Sequence, residues 1–385
     1  MVIPLFFNKT IIEKHQFLIV KYYLIMKRIP KKIIIIFITA AVLLAASRLF
    51  FLKKTFSLKS KESSKNEKLI LGFSQIGSES AWRSRNTESI FEAAEKNGIQ
   101  IIFKDAQQKQ ENQLKAIRSF IVCQVDVIAF VPIIEDGWDN VLQEAKDAGI
   151  PVILVDRQIK SDPSLYAGFI GENGIEEGKK AAEFLCRKFS KPHYDNSERT
   201  GSKITPKKEI NILELSGTHH SSVVIERAEG FRNVIKNHPE FKITATIDGD
   251  FLRSRGAEIT ENLIRTSVLN GQFRTDGLYY NNKKIDAIYS HNDSMTLGLL
   301  ETIGAYGINT ESTVIISVDA EQKSIDALKE GRLNCVVECN PNLGPILMEL
   351  VKQIAEQKKI PRTTYIEETV FTEDDDFSKY TPRGY

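Results

Sequence analysis

With 385 residues, 42% apolar and 26% charged, the chain is long enough for more than one domain and has the balance of an ordinary globular protein with a buried core. A net charge of +2, with basic residues scattered rather than clustered, excludes a field strong enough to hold nucleic acid. Cys123, Cys186, Cys335 and Cys339 show no CxxC spacing, which argues against a zinc knuckle or dithiol redox motif. All four read as small buried hydrophobes, and on one extended strand Cys335 and Cys339 would lie roughly 13 Å apart, too far for a disulfide.

At the amino end, residues 1–25 carry no recognisable pattern, and Met26 is an alternative start of translation. Met26 to Lys32 is a basic segment, and Ile33 to Ala46 is apolar over the length of a secretory signal. Ala45, Ala46 and Ser47 offer a cleavage site. The alternative is an uncleaved anchor running through Leu52, about 20 residues and just sufficient to span a bilayer. Both readings of 1–52, signal peptide or membrane anchor, export the chain. The lysine- and serine-rich stretch 53–68 is a solvated linker.

Beyond the linker the pattern is regular. Leu69–Phe73 reads as a strand buried on both faces, followed by a polar turn and a helix beginning near Glu79 and stopped at Asn97-Gly98. Strand Ile99–Phe103, helix Gln110–Val122, strand Val127–Val131, helix Trp138–Ala148 and strand Val152–Val155 follow. A short strand near Tyr166–Ile170 leads to a helix over Glu176–Phe189 and a polar surface loop over Ser190–Glu209. The alternation then restarts with strand Ile210–Leu215, helix Ser222–Asn237, strand Lys242–Ile247 and helix Ser254–Ser267. A second polar loop, Asn270–Lys284, precedes strand Ile285–Ser290 and helix Ser294–Tyr306. Strand Val314–Val318, helix Gln322–Glu330, strand Asn334–Cys339, helix Pro345–Glu356 and a polar tail complete the chain. Such βαβα alternation predicts parallel, doubly wound sheets with right-handed crossovers, and two runs separated at about residue 171 predict two Rossmann-like lobes.

The polar residues that stand out follow predicted strands directly: Gln75 and Glu79, Asp105 and Gln107, Asp156 and Arg157, His291 to Asp293, Asp319, and Glu338. Strand ends are where open α/β sheets bind ligands. A ring of acceptors, with the fixed donor fork of arginine, suits a small polyhydroxylated ligand. Trp82 and Phe251 are placed to stack on a sugar ring, and Arg83 stands where a ligand would be held. His219-His220 lacks a third spaced metal ligand and reads as solvated surface; no metal site is expected. Gly171, Gly174 and Gly178 form no dinucleotide fingerprint, there is no P-loop, and no nucleophilic triad can be argued. No cofactor is expected.

The segments GFSQIGSESAWR, DAQQKQENQLKAIRSF, VILVDR, VVIERAEGF, DGDFLRSRG, YSHNDSM, SVDA and VVECNPNLGP resemble, in order, the motifs of type I periplasmic sugar-binding proteins. Within that class they are most similar to the galactofuranose-binding proteins of bacterial ABC importers. The resemblance implies two α/β lobes joined by three crossings that close on a sugar like a hinged trap. It divides the chain into 69–171 with 292–319 as the first lobe, 172–291 with 320–370 as the second, and 371–385 as a tail. Ligand contacts carried over by motif fall on Gln75, Glu79, Trp82, Arg83, Asp105, Gln107, Asp156 and Arg157, then on Asn173, Arg227, Phe251 and Asn292, with Asp319 and Glu338 near the hinge. Ala320 stands where the family usually has glycine, a departure that strains the turn if that residue needs positive φ.

The implied protein is a non-enzymatic monomer outside the cytoplasmic membrane, secreted or anchored through its amino-terminal segment. It captures a hexose, in furanose form on this resemblance, for an ABC importer permease. The alternatives are a tethered sensor signalling to a histidine kinase or chemoreceptor, a repressor of the lac repressor family, which would need a helix-turn-helix before Leu69, and a glycosidase.

Overall fold

The computed structural model describes residues 68–190 and 209–385; the expected leader and the interior of the first polar loop lie outside them. In chain order the elements are β1 (Ile70–Gln75), α1 (Ala81–Asn97), β2 (Gln100–Asp105), α2 (Gln110–Val122), β3 (Val127–Phe130), α3 (Asp139–Asp147), β4 (Val152–Val155), β5 (Gly168–Gly171), α4 (Gly174–Ser190), β6 (Ile210–Ser216), α5 (Ser222–Ile235), β7 (Phe241–Asp248) and α6 (Arg253–Thr266). They continue as β8 (Val268–Leu269), β9 (Gln272–Phe273), β10 (Tyr279–Tyr280), β11 (Lys283–Lys284), β12 (Ala287–Ser290), α7 (Asp293–Tyr306), β13 (Val314–Asp319), α8 (Gln322–Lys329), β14 (Cys335–Glu338), α9 (Gly344–Ala355), β15 (Thr363–Tyr365) and β16 (Val370–Thr372). Among the described residues no helix is long and apolar enough to cross a membrane.

The strands form two six-stranded sheets, ordered β15-β5-β4-β3-β1-β2 and β16-β14-β13-β12-β6-β7. Every pairing in them is parallel except β14 with the antiparallel β16. Parallel strands covered by helices on both faces need apolar side chains on both, and β3, β4 and β12 are buried at every residue. In the first sheet Leu71, Phe73, Val127 and Ala129 face one helical layer, while Ile128, Phe130 and Leu154 face the other with Trp138 and Phe120. The expected stop of α1 is present: Gly98 adopts φ 66° and its N–H returns to Ala94 and Glu95.

Sheet membership corrects the expected division of the chain. Residues 292–319, assigned by sequence to the first lobe, supply α7 and β13 to the second, where β13 pairs with β12 and β14. Conversely α9, assigned to the second lobe, buries Leu347, Met348 and Val351 in the first lobe's core. The carboxyl end is more ordered than a polar tail, because β15 and β16 supply one edge strand to each sheet. The chain therefore crosses between lobes at 172–173, 339–343 and 366–369. The second polar loop holds two short hairpins, β8–β9 and β10–β11. Of the cysteines, Cys335 and Cys339 are buried as expected, but Cys123 is exposed and Cys186 half-buried; all four are free.

In the second lobe, α4 and α5 meet backbone to backbone. A Cβ on Gly178 would lie 2.0 Å from the Arg227 carbonyl oxygen, and one on Gly230 would lie 2.0 Å from that of Ile175. This close approach fixes where α5 presents Arg227.

Candidate functional site

The turn from β1 into α1 is set by Ser80, whose Oγ accepts from the Arg83 N–H at 3.0 Å and so caps the helix. That cap turns Glu79, Trp82 and Arg83 toward the edge of the sheet. Arg83 lies 3.0 Å from Glu79 Oε1 and 2.7 Å from Asp156 Oδ2, the latter delivered by the end of β4. Arg157 donates to the Ile133 carbonyl at 3.1 Å and lies over the Phe251 ring at 5.4 Å, a contact that joins the two lobes. Trp82 also crosses: its indole N–H donates to the Cys339 carbonyl at 2.6 Å, and its ring packs among second-lobe residues.

From the second lobe, α5 brings Arg227, held by Glu177 through a two-point contact at 2.8 and 3.1 Å and by the His291 carbonyl at 2.6 Å. His291 rests in turn on Glu214 at 3.2 Å. Asn292 caps α7 by accepting from the Met295 N–H, and its amide donates to the Phe251 carbonyl at 3.1 Å. Asp319 ends β13 with Oδ2 3.4 Å from the Asp293 N–H. Gly217 leaves room for the Phe251 ring, since a Cβ there would lie 2.1 Å from a ring carbon.

These side chains line a pocket between the lobes, bounded by Glu79, Ser80, Trp82, Arg83, Asp156, Arg157, Val223, Arg227, Phe251, Asn292, Asp319 and Cys339. Burial opposes ionisation of Asp156, yet Arg83 prevails and holds its carboxyl down to about 2. Burial and the neighbouring Arg83 push the Arg157 guanidinium down to about 10, so it stays charged at neutral pH. Burial and the nearby Asp293 raise Asp319 well above the usual carboxylate range. Arg83 Nη1, Asp156 Oδ2 and Arg157 Nε are buried without a hydrogen-bond partner among the described residues, although Asp156 Oδ2 meets Arg83 and Arg157 as ion pairs at 2.7 and 3.8 Å. Unmatched charged groups inside a protein are costly, and a ligand rich in hydroxyls would satisfy them.

Backbone strain gathers at the same place. Asp156 (φ 65°), Phe251 (φ 61°), Asp319 (φ 122°) and Ala320 (φ 70°) all occupy positive φ without being glycine. Each such residue costs on the order of 1–3 kcal/mol, which the surrounding structure must offset. Ala320 meets the condition under which its departure from glycine strains the turn.

Of the fourteen residues singled out in the sequence, Glu79, Trp82, Arg83, Asp156, Arg157, Arg227, Phe251, Asn292 and Asp319 line the pocket. Five lie outside its lining and are engaged elsewhere. The Gln75 amide fastens β1 to α1 through Asn86 and Thr87. Asp105 is exposed and closes a turn on the Gln107 N–H at 2.7 Å, with Gln107 also exposed. Asn173 accepts from the Glu176 N–H at the start of α4. Glu338 accepts from the Thr369 N–H and pairs with Arg383, tying down the third crossing and the tail. Ser80, Val223 and Cys339 are lining residues the sequence reading did not select. Ser80 was discoverable as the cap ahead of a helix, whereas Val223 carries no polar signal. Glu172, also unselected, is buried at the first crossing, where burial and Asp156 raise its carboxyl well above the usual range. Glu177, Cys339 and Glu368 each bring one donor atom within 4.8 Å of the others, but both Glu177 oxygens already accept from Arg227.

Comparison with known proteins gives a consistent result. A family model described as a periplasmic binding protein domain matches residues 71–359. The galactofuranose-binding protein YtfQ of Escherichia coli K12 is 36% identical over 323 residues, covering 82% of this chain and 93% of that protein. A Mycobacterium smegmatis protein solved in complex with β-D-fucofuranose is 40% identical with a TM-score of 0.68, over 79% of this chain and 91% of the other. The binding component of an arabinose ABC transporter from Shewanella sp. ANA-3, bound to α- and β-L-arabinofuranose, is 36% identical with a TM-score of 0.69, over 79% and 92%.

Proposed function

We propose, from the premise that this chain belongs to the periplasmic binding protein family, that it captures a monosaccharide in its furanose form between its lobes and hands it to an ABC importer permease. It is a binding protein and not an enzyme. The observation that carries the reading is the buried Arg83, Asp156 and Arg157 side chains, each with a polar atom that forms no hydrogen bond among the described residues, facing Arg227, Asn292 and Asp319 across the pocket between the lobes. Galactofuranose, fucofuranose and arabinofuranose, the sugars of the three relatives, share one configuration at C2, C3 and C4 and differ in the arm beyond C4. That common ring is the substrate class proposed here, with Trp82 and Phe251 as its apolar walls.

Calorimetric titration with D-galactose, D-fucose, L-arabinose, D-ribose and myo-inositol tests the reading. Binding of the first three in preference to the last two is expected, and a ligand at about 100 times its dissociation constant adds about 2.7 kcal/mol to the folded state. Absence of binding by all of the first three overturns it.

The same reading has a monomer working outside the cytoplasmic membrane, exported through the apolar segment ending at Leu52. Mass spectrometry of the mature amino terminus decides between release and tethering: a start after Ser47 means release, and retention of 33–52 means an anchored protein and favours the sensor alternative.

A further inference from the structure

Some contacts that join the lobes lie outside the pocket lining. The Gln158 N–H donates to Ser222 Oγ at 2.8 Å, and the Gln158 side-chain amide donates to Glu226 Oε1 at 2.9 Å. Gln158 directly follows Arg157, and Glu226 directly precedes Arg227, so each end of this bridge is one residue from a pocket arginine. Beside it the Glu135 N–H donates to the His220 carbonyl at 3.1 Å, and Lys160 returns to Glu135 through both backbone and side chain. Bonds between the lobes persist only while the lobes are together.

We infer that Gln158 is a positioning residue: by bridging to Ser222 and Glu226 it holds the lobes shut and so sets how long a sugar remains bound, without touching the sugar. The inference rests on the capture reading above. Its physical basis is that apparent affinity scales with the fraction of protein in the binding-competent state, so a contact made only on closure acts on affinity from outside the pocket.

The surroundings of Glu226 add a dependence on pH. The carboxyl faces Gln158 and Glu135 from the first lobe, the Gly174 N–H and Glu177 from α4, Arg227 on its own helix, and Tyr365 of β15. Burial and Glu177 push it up to about 7. When the lobes part, water reaches the group and its pKa falls toward the ordinary value, so closing takes up a proton. This contribution to closure is fully present below the ordinary carboxylate range and is lost as pH rises through about 7.

The test uses the full chain with Gln158→Ala and Glu226→Gln, following release of D-galactose and L-arabinose by stopped-flow tryptophan fluorescence, with ligand-free thermal unfolding and small-angle scattering alongside. Gln158→Ala should release sugar about fivefold faster, as loss of one net hydrogen bond implies, with association within about twofold and ligand-free unfolding still a single cooperative transition. Wild-type release should quicken between about pH 6 and 8, and that of Glu226→Gln should not. Release within about twofold of wild type, with or without a lower melting point, overturns the inference, as does a pH profile shared by both proteins. If no sugar binds the wild type, the capture reading fails, and scattering still decides the bridge. A larger radius of gyration for ligand-free Gln158→Ala than for wild type supports it, and equal radii overturn it.

Discussion

The two lobes contribute to the pocket in different ways. On the first, Arg83, Asp156 and Arg157 keep polar atoms that form no hydrogen bond among the described residues. On the second, Arg227 is committed to Glu177 and His291, Asn292 to the start of α7 and to Phe251, and Asp319 to Asp293. On the proposed reading a ligand would gain most of its new hydrogen bonds from the first lobe, while the second meets it with a surface already fixed by its own contacts. The contrast teaches that pocket arginines are not equivalent: one kind keeps hydrogen-bonding capacity toward the pocket, and another holds the wall in place.

Four substitutions or titrations sharpen or break that contrast. Arg227→Ala should have the largest effect, since it leaves the buried Glu177 without its cation. A loss of about 3–5 kcal/mol in denaturant unfolding is expected, along with loss of sugar binding. Unfolding at wild-type denaturant would make Arg227 a contact like Arg157 and erase the distinction. Next comes acid. Burial opposes ionisation of Glu214, but His291 and Arg232 hold its carboxyl down to about 2. A folded-state pKa below the unfolded value stabilises above the unfolded pKa, so up to about 3 kcal/mol should be lost as pH falls from about 4.5 toward 2. Glu214→Gln should lose that portion of the acid dependence, and an unaltered melting profile over this range would count against the second lobe's fixed network.

Arg157→Ala is the complementary case. It should weaken sugar affinity by about 1.5–3 kcal/mol, roughly 10- to 150-fold, with a smaller loss of stability than Arg227→Ala, because within the protein it gives up one hydrogen bond to the Ile133 carbonyl and a long ion pair with Asp156. Wild-type affinity by calorimetry would remove the first lobe from the binding role. The smallest effect is expected for Ala320→Gly, where relief of φ 70° should add about 1 kcal/mol of stability. A melting point lower than wild type would show that the turn is not strained.

Much of this arrangement was legible in the sequence, and the exceptions have physical reasons. Apolar runs bounded by turn residues located the main strands and helices, since parallel strands buried on both faces leave an unmistakable pattern. Polar residues after strand ends located Glu79, Asp156, Arg157, Asn292 and Asp319 in the pocket, the first turn with its aromatic and arginine gave Trp82 and Arg83, Phe251 came as a stacking ring, and Arg227 came only from the resemblance. The same rule also selected Asp105, which only closes a turn on Gln107, because a carboxylate after a strand satisfies either demand equally well. Which lobe owned 292–319 was hidden, because β13 looks alike in either sheet until its parallel neighbours β12 and β14 are known. The edge strands β15 and β16 are only three residues each, too short to leave a periodicity.

The placement of those last strands bears on how the molecule is made. The first sheet lacks β15, and the helical cover of α9, until residues beyond 343 have been synthesised, and the second lacks β16 until residue 372. Neither lobe can finish folding early on the ribosome, although amino-terminal regions ordinarily fold first. Late completion keeps the growing polypeptide loose until its far end has been made, and only then does the finished structure lock.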